Sequence, residues 1–281
     1  MKQLLSVLIV CLASFLGASA QQKADILVSF DYLSPNLKTG ERSNCEQYLL
    51  LANASCSKFY SAQTEYIDSL QSTPEGVAKL NDMRMAAFTG GKLGEAPVAK
   101  ATIYVTKNHS DGTMAVYDQV GLEKLCYDEP AGSIKWEIAD SVKEILGYVC
   151  QLATADYHGR KWLAWFAPEI PLQEGPWKLS GLPGLILEAC TEYDLYNFTA
   201  TGLQQTGKAI GPVYLSEDYE KVSRDGFWKA KRKFTDNPIG NVNAQLAMSG
   251  MSIKPANGSS GKSNKSMNLP REELDFIETD Y

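Results

Sequence analysis

Much of the usual chemical equipment is missing from these 281 residues. Only two histidines occur, His109 and His158, and neither has a second His or Cys at ligand spacing. There is no H-E-x-x-H, no G-x-S-x-G and no C-x-x-C, so metalloprotease, serine-hydrolase, zinc-knuckle and thioredoxin-like chemistry lack their residues. Asp156 and His158 stand at i, i+2, but two ligands do not make a metal site. Basic charge is in the minority: 27 Lys and Arg face 33 Asp and Glu, a formal net charge of −6. Nucleic-acid binding relies on clustered cations against phosphate, so no nucleic-acid partner is expected. Residues 258–263, GSSGKS, imitate a phosphate loop, but Ala256 stands where its first glycine belongs and no strand or helix flanks it. No cofactor or metal is expected, and no enzyme constellation is complete.

Long apolar runs are also absent, except at the start. Lys2, the apolar stretch Leu4 to Leu16 and Ala18-Ser19-Ala20 have the three parts of a cleavable export signal over residues 1–20. The stretch is too short to span a bilayer as a helix, so no transmembrane segment is expected after cleavage. Cys11 lies inside the apolar run, which disfavours lipidation there. Cys45, Cys56, Cys126, Cys150 and Cys190 remain. Export permits disulfides, although buried apolar thiols are the simpler expectation. Cys126 and Cys150, in β-type segments one hairpin apart, are the favoured pair if one forms.

Residues 21–250 read as one β-rich domain. Ile26 to Tyr32 and Gln47 to Asn53 alternate as strands. Thr73-Pro74-Glu75 carries an N-cap hydroxyl, a first-turn proline and an acid. Val77, Leu80, Met83 and Ala87 follow at helical spacing and predict one buried stripe. From residue 100 to 136, short runs rich in β-branched and aromatic residues are broken by Asp111-Gly112 and Gly121, a hairpin pattern. Further strands are expected at 147–155, 160–167, 185–189 and 196–201, with a turn near His158-Gly159. Ser216 predicts the cap of a second long helix ending before Pro238, with Lys229, Lys231, Arg232 and Lys233 as its solvated end. Residues 251–281 read as a flexible polar tail. The fold class is therefore mainly β (α+β), a curved antiparallel sheet or half-barrel with two or three flanking helices.

Residues 147–190 are the densest stretch. Trp162 and Trp165 lie on a strand whose two faces, Trp162-Ala164-Phe166 and Leu163-Trp165, are both apolar. Such a strand needs a cover on each side. The next seventeen residues hold Pro168, Pro171, Pro176, Trp177 and Pro183. Leu172, Trp177, Leu179 and Leu182 can each contribute about 1.5–3 kcal/mol on burial, so the loop 168–184 is expected to be ordered. It is read as a lid over a binding site or a structural cover, with Trp177 packed on the strand opposite the domain core. Leu182-Pro183-Gly184-Leu185 predicts a type II turn. Glu169, Glu174 and Glu188 are candidates for a carboxylate pair.

The order of Gly147-Tyr148-x-Cys150, Gly159-Arg160, Ala164-Trp165-Phe166, Pro168-Glu169-Ile170-Pro171, Gly175-Pro176-Trp177-Lys178 and Gly181-Leu182-Pro183-Gly184-Leu185-Ile186 resembles the GLPGLI family. Residues 49–61, LLLANASCSKFYS, are similar to its N-terminal segment. Ala167, Leu152 and Cys190 depart from its pattern. The resemblance covers about residues 26–240. It implies an exported protein of Bacteroidetes-type bacteria, in the periplasm or on the outer membrane of a Gram-negative envelope, and brings no activity with it. Three functions follow in order of expectation: a non-enzymatic binder or carrier of an apolar ligand, a structural or assembly partner of an envelope complex, and an enzyme. An apolar cavity beneath loop 168–184 would favour the first.

Overall fold

The structure is a computed structural model that describes residues 22–37, 40, 42–44, 47–99, 101–238, 240–241 and 275–281. The expected export signal, Cys45, the phosphate-loop mimic and residues 251–274 of the expected tail lie outside the described residues. The strands are β1 (Ile26–Pro35), β2 (Arg42–Asn44), β3 (Tyr48–Ala52), β4 (Cys56–Ser61), β5 (Tyr104–Asn108), β6 (Thr113–Val120), β7 (Glu123–Pro130), β8 (Glu137–Ile145), β9 (Tyr148–Tyr157), β10 (Arg160–Ala167), β11 (Leu185–Thr191), β12 (Asn197–Gln205) and β13 (Glu220–Lys221). Among the described residues, three α-helices accompany them: α1 (Ala62–Gln71), α2 (Pro74–Thr89) and α3 (Arg224–Asp236).

All strands belong to one open, curved sheet in the order β13-β7-β6-β5-β4-β3-β1-β12-β11-β10-β9-β8, with β2 added to β1. Every pairing is antiparallel except β13 with β7. From β1 the chain meanders outward through β3, β4, β5, β6 and β7. Residues 131–136 then carry it to the far end, and β8 to β12 meander back to the other side of β1. Loop 168–184 is the β10–β11 connection, in the middle of this second meander.

Alternation decides the faces. Val28 and Phe30 of β1, Phe59 of β4, Val105 of β5, Val116 of β6, Trp162 and Phe166 of β10 and Phe198 of β12 are almost fully buried in the main core, on the inner face. Trp177, Leu179 and Leu182 of the loop, Phe227 and Trp228 of α3 and Phe276 complete that core. A smaller cluster, including Leu51, Tyr60 and Tyr104, lies on the other face with Val213. There α1 packs on β4, and the Tyr104 hydroxyl donates to Asp68 at 2.6 Å.

Several local expectations change. Thr73 does cap α2, accepting from the Gly76 N–H at 3.1 Å, but Val77 is 40% exposed and the buried stripe reduces to Leu80 and its neighbours. The reason is that α2 lies against α1, itself not anticipated, and needs only a narrow contact. Strand β8 was likewise unforeseen. The helix expected from Ser216 begins at Arg224 and is capped by Ser223. Its basic end is not simply solvated, because Lys231 pairs with Asp118 and Arg232 with Asp275. Residues 275–281 are not free polar tail: Phe276 and Glu278 are buried.

The Cys126–Cys150 pair is overturned. Both are free thiols, on β7 and β9, with β6, β5, β4, β3, β1, β12, β11 and β10 between them along the sheet. The sequence places them near each other only if β8 and β9 follow β7 in space, and they do not. Iodoacetamide in denaturant without reductant is expected to alkylate both residues, read by peptide mass mapping.

Candidate functional site

Loop 168–184 runs across the inner face and joins the two meanders. Its backbone is tied to itself and to β11: the Gly181 N–H donates to Gln173 O at 3.1 Å and the Ile186 N–H to Glu174 O at 2.8 Å. Trp177 is 2% exposed. It stacks on Trp162, centroids 5.5 Å apart at 28°, and meets Tyr157 edge-on at 6.2 Å. Its φ is +52°, a left-handed conformation that is an outlier for a bulky residue and costs about 1–2 kcal/mol.

The motif residues therefore have distinct fates. Gly175, Pro176, Trp177, Leu182, Gly184, Leu185 and Ile186 are buried, whereas Pro168, Pro171, Pro183 and Gly181 are exposed. Trp165 is half-buried on the opposite face, where the Lys143 ammonium lies 4.5 Å over its ring and pairs with Glu188 at 2.6 Å. The loop thus covers the Trp162 face and is part of the core. It does not cover the Leu163–Trp165 face, which keeps a half-open surface under a lysine stem. Leu182 to Leu185 is not a type II turn either. The Gly184 N–H donates to Leu182 O at 2.8 Å, a three-residue turn on Pro183, and Gly184 is not among the positive-φ glycines. Glycine is needed because a Cβ would run into the Ala167 carbonyl oxygen.

Two buried charge clusters anchor the loop. In the first, Lys107 of β5 donates to Glu174 at 2.9 Å, to Leu179 O at 2.9 Å and to Gly175 O at 3.2 Å. His109 closes on the other Glu174 oxygen. Burial pushes the Glu174 carboxyl up, but Lys107 and His109 outweigh it and hold it below the ordinary value. In the second, Lys178 pairs with Glu129 of β7 and, at 2.5 Å, with Glu278. Arg224 of α3 pairs with Glu278 at 2.6 Å and with Asp280. His158, on the β9–β10 turn, lies 3.3 Å from Glu129 and 3.3 Å from Asp280. Burial raises the Glu129 carboxyl, and His158 and Lys178 bring it below the usual range. Asp280 is likewise held low, against burial, by Arg224 and His158.

Ligand atoms of His158, Glu278 and Asp280 lie within 4.8 Å of one another, a spacing open to a cation. Lys178 and Arg224 already balance those carboxylates, so the cluster is a salt-bridge network rather than a metal centre. Asp156, the partner considered for His158, is exposed. The carboxylate-pair reading also dissolves. Glu174 is locked on the inner face, Glu188 lies opposite Trp165 in the β10–β11 register with Lys143, and Glu169 is exposed. Sequence reasoning missed Lys107, Asp118 and Glu129. Each follows the parity of inward apolar neighbours, Val105, Val116 and Tyr127 respectively, and a charge at an inward position is a legible sign of a buried partner.

A cavity of about 250 Å³ opens beside the loop. Its apolar wall is aromatic, made of Tyr32, Tyr48, Phe59, Phe198 and Trp177. Tyr32 and Phe198 stack at 4.6 Å, and Tyr48 and Phe59 at 4.8 Å. The rest includes Ile103 and Ile277 and a polar corner, where Asp118 accepts from Thr102 at 2.5 Å and pairs with Lys231 at 2.6 Å.

The family described as "Protein of unknown function (Porph_ging)" matches residues 159–188, the β10–loop–β11 unit. No curated protein matches the chain. Among solved structures, PNGF-II in the P21 space group is similar at a TM-score of 0.50 and 11% identity, over 75% of this chain and 34% of that one. PNGF-II in the C2 space group gives 0.49 and 10%, over 74% and 32%. This chain thus spans about a third of the length of those structures, and at this identity the likeness concerns the fold alone.

Removing one partner of a buried pair strands the other charge, which costs about 3–5 kcal/mol. Lys107→Met is expected to lose that much in urea unfolding, and Lys107→Met with Glu174→Gln distinctly less than the two single losses together. Glu129, Glu174 and Asp280 have lowered folded values. Their stabilisation is complete above the unfolded carboxylate range and lost as pH falls through the lowered values. The urea midpoint should hold near neutrality and fall once the pH drops below about 4.5, the ordinary glutamate value, with a shallower fall in Glu129→Gln.

Proposed function

We propose that this protein is a non-enzymatic binding or carrier protein of the bacterial envelope that takes a compact apolar group into the aromatic cavity beside Trp177. The observation that carries this reading is the pairing of five aromatic rings with one polar corner, Asp118–Lys231. Ligand sites are mostly apolar, with a few placed polar groups that set orientation. At about 250 Å³ the space suits one aromatic ring system or a short acyl segment, with a polar end at Lys231. Trp177 links this wall to the loop, so ligand contact and loop order are coupled.

A second reading, an assembly partner in the envelope, is favoured by the β8–β9 end of the sheet. Strand β8 has β9 as its neighbour among the described strands, and Ile138, Val142 and Val149 are at least half exposed. Unpaired edges with apolar residues are templates for another chain.

Native mass spectrometry and solvent extraction of the purified protein test the first reading. A small apolar adduct is expected, and uptake of a short fatty acid or an aromatic acid should change tryptophan emission. Ile103→Trp, which fills the half-open side of the cavity, should abolish uptake with little change in melting temperature. Unchanged uptake in that variant, or no uptake by the parent protein, would refute the cavity assignment. Co-purification after crosslinking that requires Val142 would move the weight to the second reading.

A further inference from the structure

We propose that the groove between the β9–β10 turn, β7 and α3 is a recognition site for acidic, aromatic peptides, occupied in cis by residues 275–281 and able to accept the same sequence in trans. The inference is independent of the cavity reading, although Ile277 touches that cavity.

The segment, Asp275-Phe-Ile-Glu-Thr-Asp-Tyr281, is held as a bound peptide is held. One backbone pair joins it to the sheet, from the Thr279 N–H to His158 O at 3.0 Å. The Thr279 hydroxyl donates to Gly159 O at 3.1 Å, and side chains of the groove make further contacts. Arg160 donates to Phe276 O and Asp275 O, each at 2.8 Å, and the Tyr196 hydroxyl to Asp275 O at 2.7 Å. Glu278, fully buried, receives Lys178, Arg224 and the Trp228 indole N–H, the last at 2.8 Å. Phe276 packs on Trp228 at 5.6 Å, and Tyr281 stacks on it at 5.7 Å and 21°. Arg232 reads both ends, pairing with Asp275 at 2.6 Å and donating to the Tyr281 hydroxyl at 2.7 Å. Asp-Phe-x-Glu-x-Asp-Tyr is therefore what the groove selects.

The walls come from separate elements: Arg160 from β10, Lys178 from the loop, Trp228 from α3 and Tyr196 from the turn just before β12, and Tyr196 and Trp228 also pack in the main core. In an emptied groove Glu129 still faces Lys178, Arg224 and His158, and the half-exposed Arg232, which gives up Asp275 and Tyr281, turns to water. Residues 237–274 separate the segment from α3 in the sequence, and the covalent connection makes binding of the cis peptide intramolecular. A free peptide competes only once that connection is cut.

The test uses the full chain with a protease site inserted after Gly261, folded first and then cut. A fluorescent peptide of sequence Asp-Phe-Ile-Glu-Thr-Asp-Tyr is then titrated and followed by anisotropy. The expected result is saturable uptake with release of the native fragment, an unchanged far-UV spectrum, and at least ten-fold weaker binding when the peptide carries Gln in place of Glu278. Three results would each overturn the proposal: a cut chain that unfolds, a fragment that does not exchange, or a Gln peptide that binds as well as the parent.

Discussion

The stack of Trp177 on Trp162 is the contact on which the inner face depends. A single open sheet of this length has a concave surface too wide for its own side chains to fill. Loop 168–184 fills it, and Trp177 reaches the middle. Its left-handed backbone is unfavourable by itself, and the burial of a large indole against Trp162, Tyr157 and the Lys178 ammonium offsets that. From that fixed point the chain places Glu174 three residues before and Lys178 one residue after. These two meet β5 and β7, which belong to the other meander. The loop is thus a strut between halves of the sheet that share only β1 along their hydrogen-bonded path.

Buried ion pairs are an expensive way to make such a strut, since desolvation offsets most of the attraction. They do supply register. A one-residue slip of β5, β6 or β7 would turn Lys107, Asp118 or Glu129 outward and would take that partner from Glu174, Lys231 or Lys178. Apolar residues at the same places would bury as well and tolerate more than one alignment. The three charges therefore hold this side of the sheet to one arrangement, and α3 and the C-terminal segment are positioned from it through Lys231 and Glu278.

How far the sequence was legible follows from which forces are local. Strand periods, the Thr73 cap, the His158-Gly159 turn and an ordered proline-rich loop all arise within a few residues, and they read correctly. Misreadings arise where partners are distant. Helix α1 and strand β8 have ambiguous local patterns: EIADSVKEI looks no more like a strand than a polar helix, and only pairing with β9 decides it. Gly184 fits a turn's φ by local pattern, but the cause is the approach of the loop to Ala167. The last seven residues read locally as the end of a polar tail because their charges are matched by Lys178, Arg224 and Arg232, none of them nearby in sequence. Of the candidate site, Trp177 stands out in the sequence, whereas Tyr32, Tyr48, Phe59 and Phe198 and the charged groups come from separate elements that only the fold brings together.

Adjacent residues of the loop divide the inner space between two environments. The Trp177 side chain faces an aromatic cavity, and the Lys178 side chain faces a charged groove. Their backbone is fixed by the same turn, in which the Leu179 N–H donates to Pro176 O at 3.1 Å. A change that shifts one must shift the other, because a residue in a left-handed conformation has little freedom to rotate without leaving it. The C-terminal segment makes a second link, with Ile277 at the cavity and Glu278 on Lys178. The loop and the C-terminal segment therefore each touch both the cavity and the groove, and the short matched stretch 159–188 contains the loop together with β10 and the start of β11.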